Sequence, residues 1–130
     1  MILKNASILV VDDDPDVLTA VRLLLKTEVK EVITEKNPEN LRWHLNKDHF
    51  DLILLDMNFT SSLNTGNEGF YWLGKLKESG SDAAVIMITA YGDEATTKRA
   101  TELGAAGLLP KPIDFGLLRQ EIDQRLERAS

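Results

Sequence analysis

Asp51-Leu52-Ile53-Leu54-Leu55-Asp56-Met57-Asn58 is the stretch from which the rest of this sequence is read. Its four consecutive aliphatic residues predict a short strand buried on both faces, the kind that lies in the middle of a parallel sheet. The run ends in a carboxylate, Asp56, and a polar turn follows it. In open α/β sheets, ligands and chemistry gather just beyond the carboxyl ends of the strands, which is where Asp56 falls. An aspartate at a strand end also serves as an ordinary cap for the next turn, so this residue alone does not decide between the two roles. Three other strands that end in reactive residue types shift the balance.

Upstream, Ile8-Leu9-Val10-Val11 is a second run of the same kind, ending in Asp12-Asp13-Asp14-Pro15. Asp14 before Pro15 reads as an N-cap followed by proline at the first helical position. Val17, Leu18, Val21, Leu24 and Leu25 then recur at helical spacing to about Lys26. Asp14 therefore has a structural task, whereas Asp12 and Asp13 are not needed for one. A weaker strand is expected within residues 29–34, centred on Val32-Ile33. Asn37-Pro38 repeats the cap-plus-proline signal, with Leu41, His44 and Leu45 marking the buried side of a short helix. His44 and His49 lack a partner at ligand spacing, so surface or half-buried packing is expected of both.

Downstream of Asp56, the polar connection through Phe59 to Asn67 exceeds the roughly 2–6 residues usual between a strand and a helix. A solvated excursion and a functional loop are weighed evenly there. The next helix is expected from near Glu68 to Gly80 with Phe70, Leu73 and Leu76 inward, leaving Tyr71 and Trp72 off that face. Ala84-Val85-Ile86-Met87-Ile88 is a fourth strand, ending in Thr89-Ala90-Tyr91-Gly92. Asp93 suits the cap of a helix running to Leu103 and closed by Gly104. Leu103 is its only large apolar residue, so it buries little and is expected at the low end of local stability. Gly107-Leu108-Leu109 forms a fifth strand before Pro110-Lys111-Pro112. The last helix starts near Asp114, with Leu118, Ile122 and Leu126 inward and Arg119, Glu121, Asp123 and Arg125 as a solvated face. Strand then helix, five times over, predicts a doubly wound α/β fold: a five-stranded parallel sheet with helices on both faces, flavodoxin-like.

A chain of 130 residues with 43% hydrophobic residues suits one domain with one core. The net charge of −6, with acids and bases intermixed, argues against direct nucleic-acid binding, which calls for a basic patch. The absence of cysteine excludes disulfides, thiolate catalysis and Cys-type zinc sites. No apolar run approaches a membrane span, and Met1-Ile2-Leu3-Lys4-Asn5 lacks a secretory layout, so a soluble, cytoplasmic domain is expected.

One rim of the predicted sheet gathers Asp12, Asp13, Asp56, Thr89 and Lys111. Crowded carboxylates repel one another by several kcal/mol per pair at an effective dielectric of about 20, and persist only with a compensating cation. All-oxygen ligands without His or Cys select a hard ion, and partial protein ligation with room for waters and a phosphate oxygen suits Mg²⁺. No Gly-rich phosphate loop follows the first strand, which weakens dinucleotide and flavin readings. A carboxylate beside a metal, a hydroxyl and an ammonium can instead accept a phosphoryl group, with Asp56 as nucleophile and Thr89 and Lys111 cancelling charge on the equatorial oxygens.

The ordered set Asp12-Asp13, Asp56, Thr89-Ala90 and Lys111-Pro112 resembles the receiver domain of two-component response regulators, over nearly the whole chain. The resemblance implies a single receiver domain over residues 1–130, with Asp56 phosphorylated by a sensor histidine kinase or a phosphotransfer protein. It implies Mg²⁺ held by Asp13, Asp56 and the backbone carbonyl of Asn58, with Asp12 acting through water. Thr89 is similar to the family's switch hydroxyl, small Ala90 leaves it room, Lys111 pairs with the phosphoryl group, and the Lys111–Pro112 bond is expected to be cis. Where the family usually carries a switch aromatic, this chain has Leu108, so the signal is expected to travel through backbone and helix shifts. The late glycine, Gly69, after the long loop resembles receivers that front NtrC-like, sigma-54-dependent activators, whose ATPase and DNA-binding regions would follow Ser130. The helix from Asp93 to Leu103, the Leu108 strand and the last helix form the surface expected to meet an output domain or a second receiver.

Two alternatives are weighed. A Mg²⁺-dependent phosphohydrolase of the haloacid dehalogenase type also uses an Asp nucleophile after a strand, but it requires a second Asp where this chain has Asn58, and a cap domain has no room here. A receiver-like module that is never phosphorylated is not favoured by the intact acid set and Lys111. The expectation is therefore a self-phosphorylating and self-hydrolysing switch, not a turnover enzyme on an external substrate.

Overall fold

The computed structural model of the chain describes residues 2–57, 67–90 and 94–129. Five strands, β1 (Ser7–Val11), β2 (Glu31–Glu35), β3 (Leu52–Asp56), β4 (Ala84–Thr89) and β5 (Gly107–Pro110), form one sheet in the order β2-β1-β3-β4-β5. Every pairing is parallel. The helices between and after them are α1 (Pro15–Leu25), α2 (Leu41–Lys47), α3 (Asn67–Glu78), α4 (Glu94–Glu102) and α5 (Phe115–Ala129). This is the doubly wound architecture expected, and its strand order reverses at β1, between β2 and β3.

The aliphatic runs of β1 and β3 are buried along their whole length because both faces of the sheet are covered. Their period of two divides the core. Ile8, Val10, Leu52, Leu54, Ile86 and Ile88 face α1 and α5, packing with Val21, Leu25, Leu118, Ile122 and Leu126. Leu9, Val11, Ile53, Leu55, Val85 and Met87 face α2, α3 and α4, packing with Leu41, Leu73, Leu76 and Ala100. No helix among the described residues is long and apolar enough to cross a membrane.

The helix starts follow the cap chemistry of the sequence. Asp14 accepts the Asp16 N–H at 2.9 Å and Pro15 is the first helical residue of α1. Asn37 caps a 3-10 turn, Pro38–Asn40, which consumes residues that would otherwise lengthen α2. Asp114 accepts the Leu117 N–H at 3.1 Å at the start of α5. Asp93, the expected cap of α4, lies outside the described residues; Gly104 closes that helix with a φ of +101°, which L side chains rarely adopt.

Two expectations about side chains change. Arg119, Glu121, Asp123 and Arg125 are half-buried rather than a solvated face. Arg119 bridges Asp123 and Glu28, the latter just beyond α1, and Arg125 pairs with Glu121 at 3.0 Å. Glu28 beyond α1 lies against Arg119, and Gly107 of β5 lies under Glu121 and Arg125; pairing satisfies most of these groups, though Arg125 Nε has no partner among the described residues. His44 is buried, not half-buried, because it has a polar partner that the sequence did not reveal, Glu35 at the end of β2.

Candidate functional site

The register of the ladders brings the strand ends level. Val11 pairs with Leu55, Asp56 with Ile88, and Thr89 with Pro110. Asp12, one residue past Val11, is thereby set beside Asp56, and Lys111, one past Pro110, is set beyond Thr89. Backbone hydrogen bonds extend the ladders past the strands: the Asp12 N–H donates to the Glu35 carbonyl at 3.0 Å, the Met57 N–H to Ile88 at 2.8 Å, and the Lys111 N–H to Thr89 at 2.7 Å. The pocket floor is a continuation of the sheet.

Asp12, Asp56 and Thr89 are fully buried, and Asp13 is half-buried. One carboxylate oxygen from each of Asp12, Asp13 and Asp56 lies within 4.8 Å of the others. The Lys111 ammonium reaches into this group, 3.0 Å from Asp56 Oδ1 and 3.8 Å from Asp12 Oδ2. The Lys111–Pro112 peptide bond is cis, as expected. Asp12, for which the sequence suggested no structural task, accepts the Asp14 N–H through Oδ1 at 2.9 Å and so braces the turn into α1.

The electrostatics follow from burial. Loss of hydration, reinforced by the neighbouring Asp56 and Asp13 charges, pushes the Asp12 carboxyl up to about 7, although the Asp14 amide and Lys111 pull it back. Burial depresses the Lys111 ammonium, but the hydrogen bond and charge of Asp56, with Asp12 and Asp13, outweigh it and hold lysine above its usual value. Among the described residues, one cation thus faces three acids. Asp12 Oδ2 makes no hydrogen bond among the described residues although it is buried. A buried, unsatisfied oxygen within an all-oxygen donor set is the signature of a place for a hard divalent cation, and Mg²⁺ fits it.

The remaining predicted residues take distinct places. Thr89 ends β4 beside the pocket, and Ala90 is exposed just past it. Leu108 on β5 pairs with Met87, is half-buried, and packs with the α2–α4 side of the core. Asn58, expected to offer its carbonyl, lies outside the described residues, as does the expected long loop up to residue 66. Gly69, the late glycine of the sequence, is a contact residue. A Cβ there would fall 2.5 Å from Met57 Cα, and its N–H donates to the Met57 carbonyl at 3.2 Å. Glycine is what lets α3 approach the segment leaving Asp56. The sequence signal was the glycine's position on the inward face beside Phe70 and Leu73.

Residues 8–123 match the profile of the response regulator receiver domain. The transcriptional regulatory protein GlrR of Escherichia coli (strain K12) is 33% identical over 128 residues, covering 98% of this chain and 28% of GlrR. The crystal structure of the N-terminal signal receiver domain of a two-component system response regulator from Bacteroides fragilis superposes with a TM-score of 0.81 at 37% identity, covering 94% of this chain and 97% of that one. NtrX from Brucella abortus, solved in complex with ADP, superposes with a TM-score of 0.80 at 27% identity over 95% of this chain and 26% of its own. The chain therefore spans about a quarter of GlrR and NtrX.

Proposed function

The chain belongs to the response regulator receiver domain family, and from that premise we propose that Asp56 is its phosphoacceptor and that phosphorylation switches the surface around α4. The observation that carries this reading is the Lys111 ammonium at 3.0 Å from Asp56 Oδ1, inside a group of three converging carboxylates. The phosphodonor is a histidine kinase or a phosphotransfer protein. The ionised Asp56 carboxylate attacks phosphorus, the P–O bond forms as the P–N bond of the phosphohistidine breaks, and the imidazole leaves with the electron pair. Lys111 pairs with one phosphoryl oxygen and the Thr89 hydroxyl with another, with small Ala90 leaving room for the threonine to move. Asp13, Asp56 and the Asn58 carbonyl would hold Mg²⁺, with Asp12 acting through water, and the ion would cancel charge on the phosphoryl oxygens. Attack of water on the acyl phosphate returns Asp56 and releases inorganic phosphate. The domain catalyses both steps on itself. The haloacid-dehalogenase alternative has no support from the family match.

The new dianion beside Thr89 and Lys111 biases a two-state element, and α4 suits it because Ala100 is the residue it buries fully among those described. Moving such an equilibrium from mostly off to mostly on takes about 3–5 kcal/mol, within reach of a few charge-assisted hydrogen bonds. The face of α4, the Leu108 strand and α5 meets an output domain or a second receiver. The long connection before Gly69 and the likeness to GlrR support an NtrC-like, sigma-54-dependent transcription regulator working in the cytoplasm, with residues 1–130 as its receiver and output regions beyond Ser130.

Mg²⁺ with beryllofluoride tests the reading. Trp fluorescence or backbone NMR peaks shift in the wild type, and Asp56→Asn abolishes the shift. A shift that survives Asp56→Asn, or no shift in the wild type, overturns it.

A further inference from the structure

Buried His44 and half-buried Glu35 form a polar pair that the phosphoacceptor chemistry does not use. Period two on β2 sets Glu35 on the same face as Ile33, toward α2. Its Oε1 lies 2.8 Å from His44 Nε2, its Oε2 accepts the Asn37 N–H at 2.9 Å, and the Asn40 side chain also bonds to it. An ionised carboxylate only accepts, so Nε2 carries the proton. The imidazole stacks edge-on against Trp43 at 4.8 Å and faces Phe50 at 6.5 Å. One carboxylate therefore ties the end of β2, the turn into the 3-10 segment and the middle of α2.

The backbone of the same residue enters the acid pocket. Glu35 is the last residue of β2, in register with Val11, and its carbonyl receives the Asp12 N–H at 3.0 Å. β2 is an edge strand whose residues are half-buried or exposed, so apolar packing alone holds its end less firmly than that of β1 or β3. A fixed side chain on Glu35 fixes its carbonyl, and that carbonyl fixes where the chain turns from Val11 into Asp12-Asp13.

We infer that Glu35 and His44 are positioning residues for the metal-binding acids: the side-chain clamp from β2 to α2 holds the Glu35 carbonyl, which sets the Asp12-Asp13 turn for Mg²⁺. This rests on the receiver reading above. Outer groups that orient metal ligands are worth about 10- to 100-fold in affinity, and a link through one backbone hydrogen bond belongs at the lower end, about tenfold.

The test measures Mg²⁺ affinity by Trp fluorescence and amide exchange at Asp12 in metal-free protein, in wild type, His44→Phe and Glu35→Gln. His44→Phe keeps an aromatic ring in the packing and removes the bond to Glu35. It weakens Mg²⁺ about tenfold and speeds Asp12 exchange, leaving exchange at Leu54 in β3 unchanged. Glu35→Gln keeps the acceptor for His44 but turns the oxygen that takes the Asn37 N–H into an amide donor, so it weakens Mg²⁺ as well, by no more than His44→Phe does. A global loss of stability would speed Asp12 and Leu54 alike, and that result overturns the inference. So do unchanged affinity and exchange in His44→Phe, which make the pair packing only. A loss in Glu35→Gln that clearly exceeds the loss in His44→Phe overturns it as well, because charge rather than position is then responsible. A wild type that does not respond to Mg²⁺ overturns the receiver reading and this inference together, whereas a wild-type response preserved in His44→Phe overturns this inference alone.

Discussion

The two faces of the sheet are packed by different means. On one, α1 and α5 bury Val21, Leu25, Leu118, Ile122 and Leu126 in an aliphatic layer, and Arg119 joins the two helices through Glu28. On the other, α2, α3 and α4 cover the same strands unevenly: α2 and α3 bury Leu41, Leu73 and Leu76, helped by the Glu35–His44 pair and a glycine contact at Met57, whereas α4 fully buries only Ala100 among its described residues. An open groove of about 1130 Å³ runs along α2 and α3 on this second face. Strand alternation supplies both faces equally, so the contrast lies in the helices. A helix held by several large side chains, such as α5, resists rearrangement, whereas one held by a single small side chain, such as α4, has states closer in energy.

The contrast is sharpest under truncation. Ile122→Ala on the first face is expected to cost about 2–5 kcal/mol in urea unfolding, whereas Ala100→Gly in α4 costs about 1 kcal/mol. Equal costs would break the distinction between the faces.

The next largest effect is pH dependence, where two carboxyls pull in opposite directions. Asp12 has a folded-state value raised from 3.8 to about 7, so the native state binds the extra proton and stability falls as pH rises between those values. The effect is on the order of a few kcal/mol in metal-free protein, and Asp12→Asn flattens this part of the profile. Glu35 behaves oppositely. Burial alone would raise it, but bonds from His44, Asn37 and Asn40 leave it below 4.5. Its contribution is complete above that value and disappears as pH falls through the lowered folded value. Urea titrations from about pH 2.5 to 8 check both signs, and a rise in stability with pH assigned to Asp12 would contradict the buried-acid account.

Two smaller effects probe the second face locally. Gly69→Ala sets a methyl group against Met57 and costs about 1–3 kcal/mol by overpacking, seen as a lower melting temperature. Arg99 on α4 lies over the Phe70 ring of α3 with 5.3 Å to the centroid. Arg99→Ala costs about 0.5–1 kcal/mol and speeds amide exchange in α4 more than in α5.

Much of this was legible in the sequence because it rests on local signals. The aliphatic runs, the Asp14-Pro15 cap, the inward residues of α5 and the identities at the strand ends depend on neighbours within a few positions. Parallel pairing then brings Asp12, Asp56 and Lys111 together wherever the strands end. What escaped was set by contacts between distant residues. Glu28 and Arg119 stand 91 positions apart, and neither advertises the other. His44 looked partnerless because Glu35 sits on a weak strand rather than on its own helix. Asp12 seemed free of structural work because its bond to the Asp14 N–H is an irregular turn, not a helix cap.

The even spacing of side chains along β1 has one further result. Ile8 and Val10 point to one side and Leu9 and Val11 to the other. Deleting a single residue within Ser7–Val11 would send the β1 side chains beyond it to the opposite layer and turn the acids at the end of the strand half a step out of phase with Asp56. Strand length in this protein is thus constrained as tightly as residue identity. By the same alternation, β1 can be trimmed or extended without exchanging its faces only in pairs of residues.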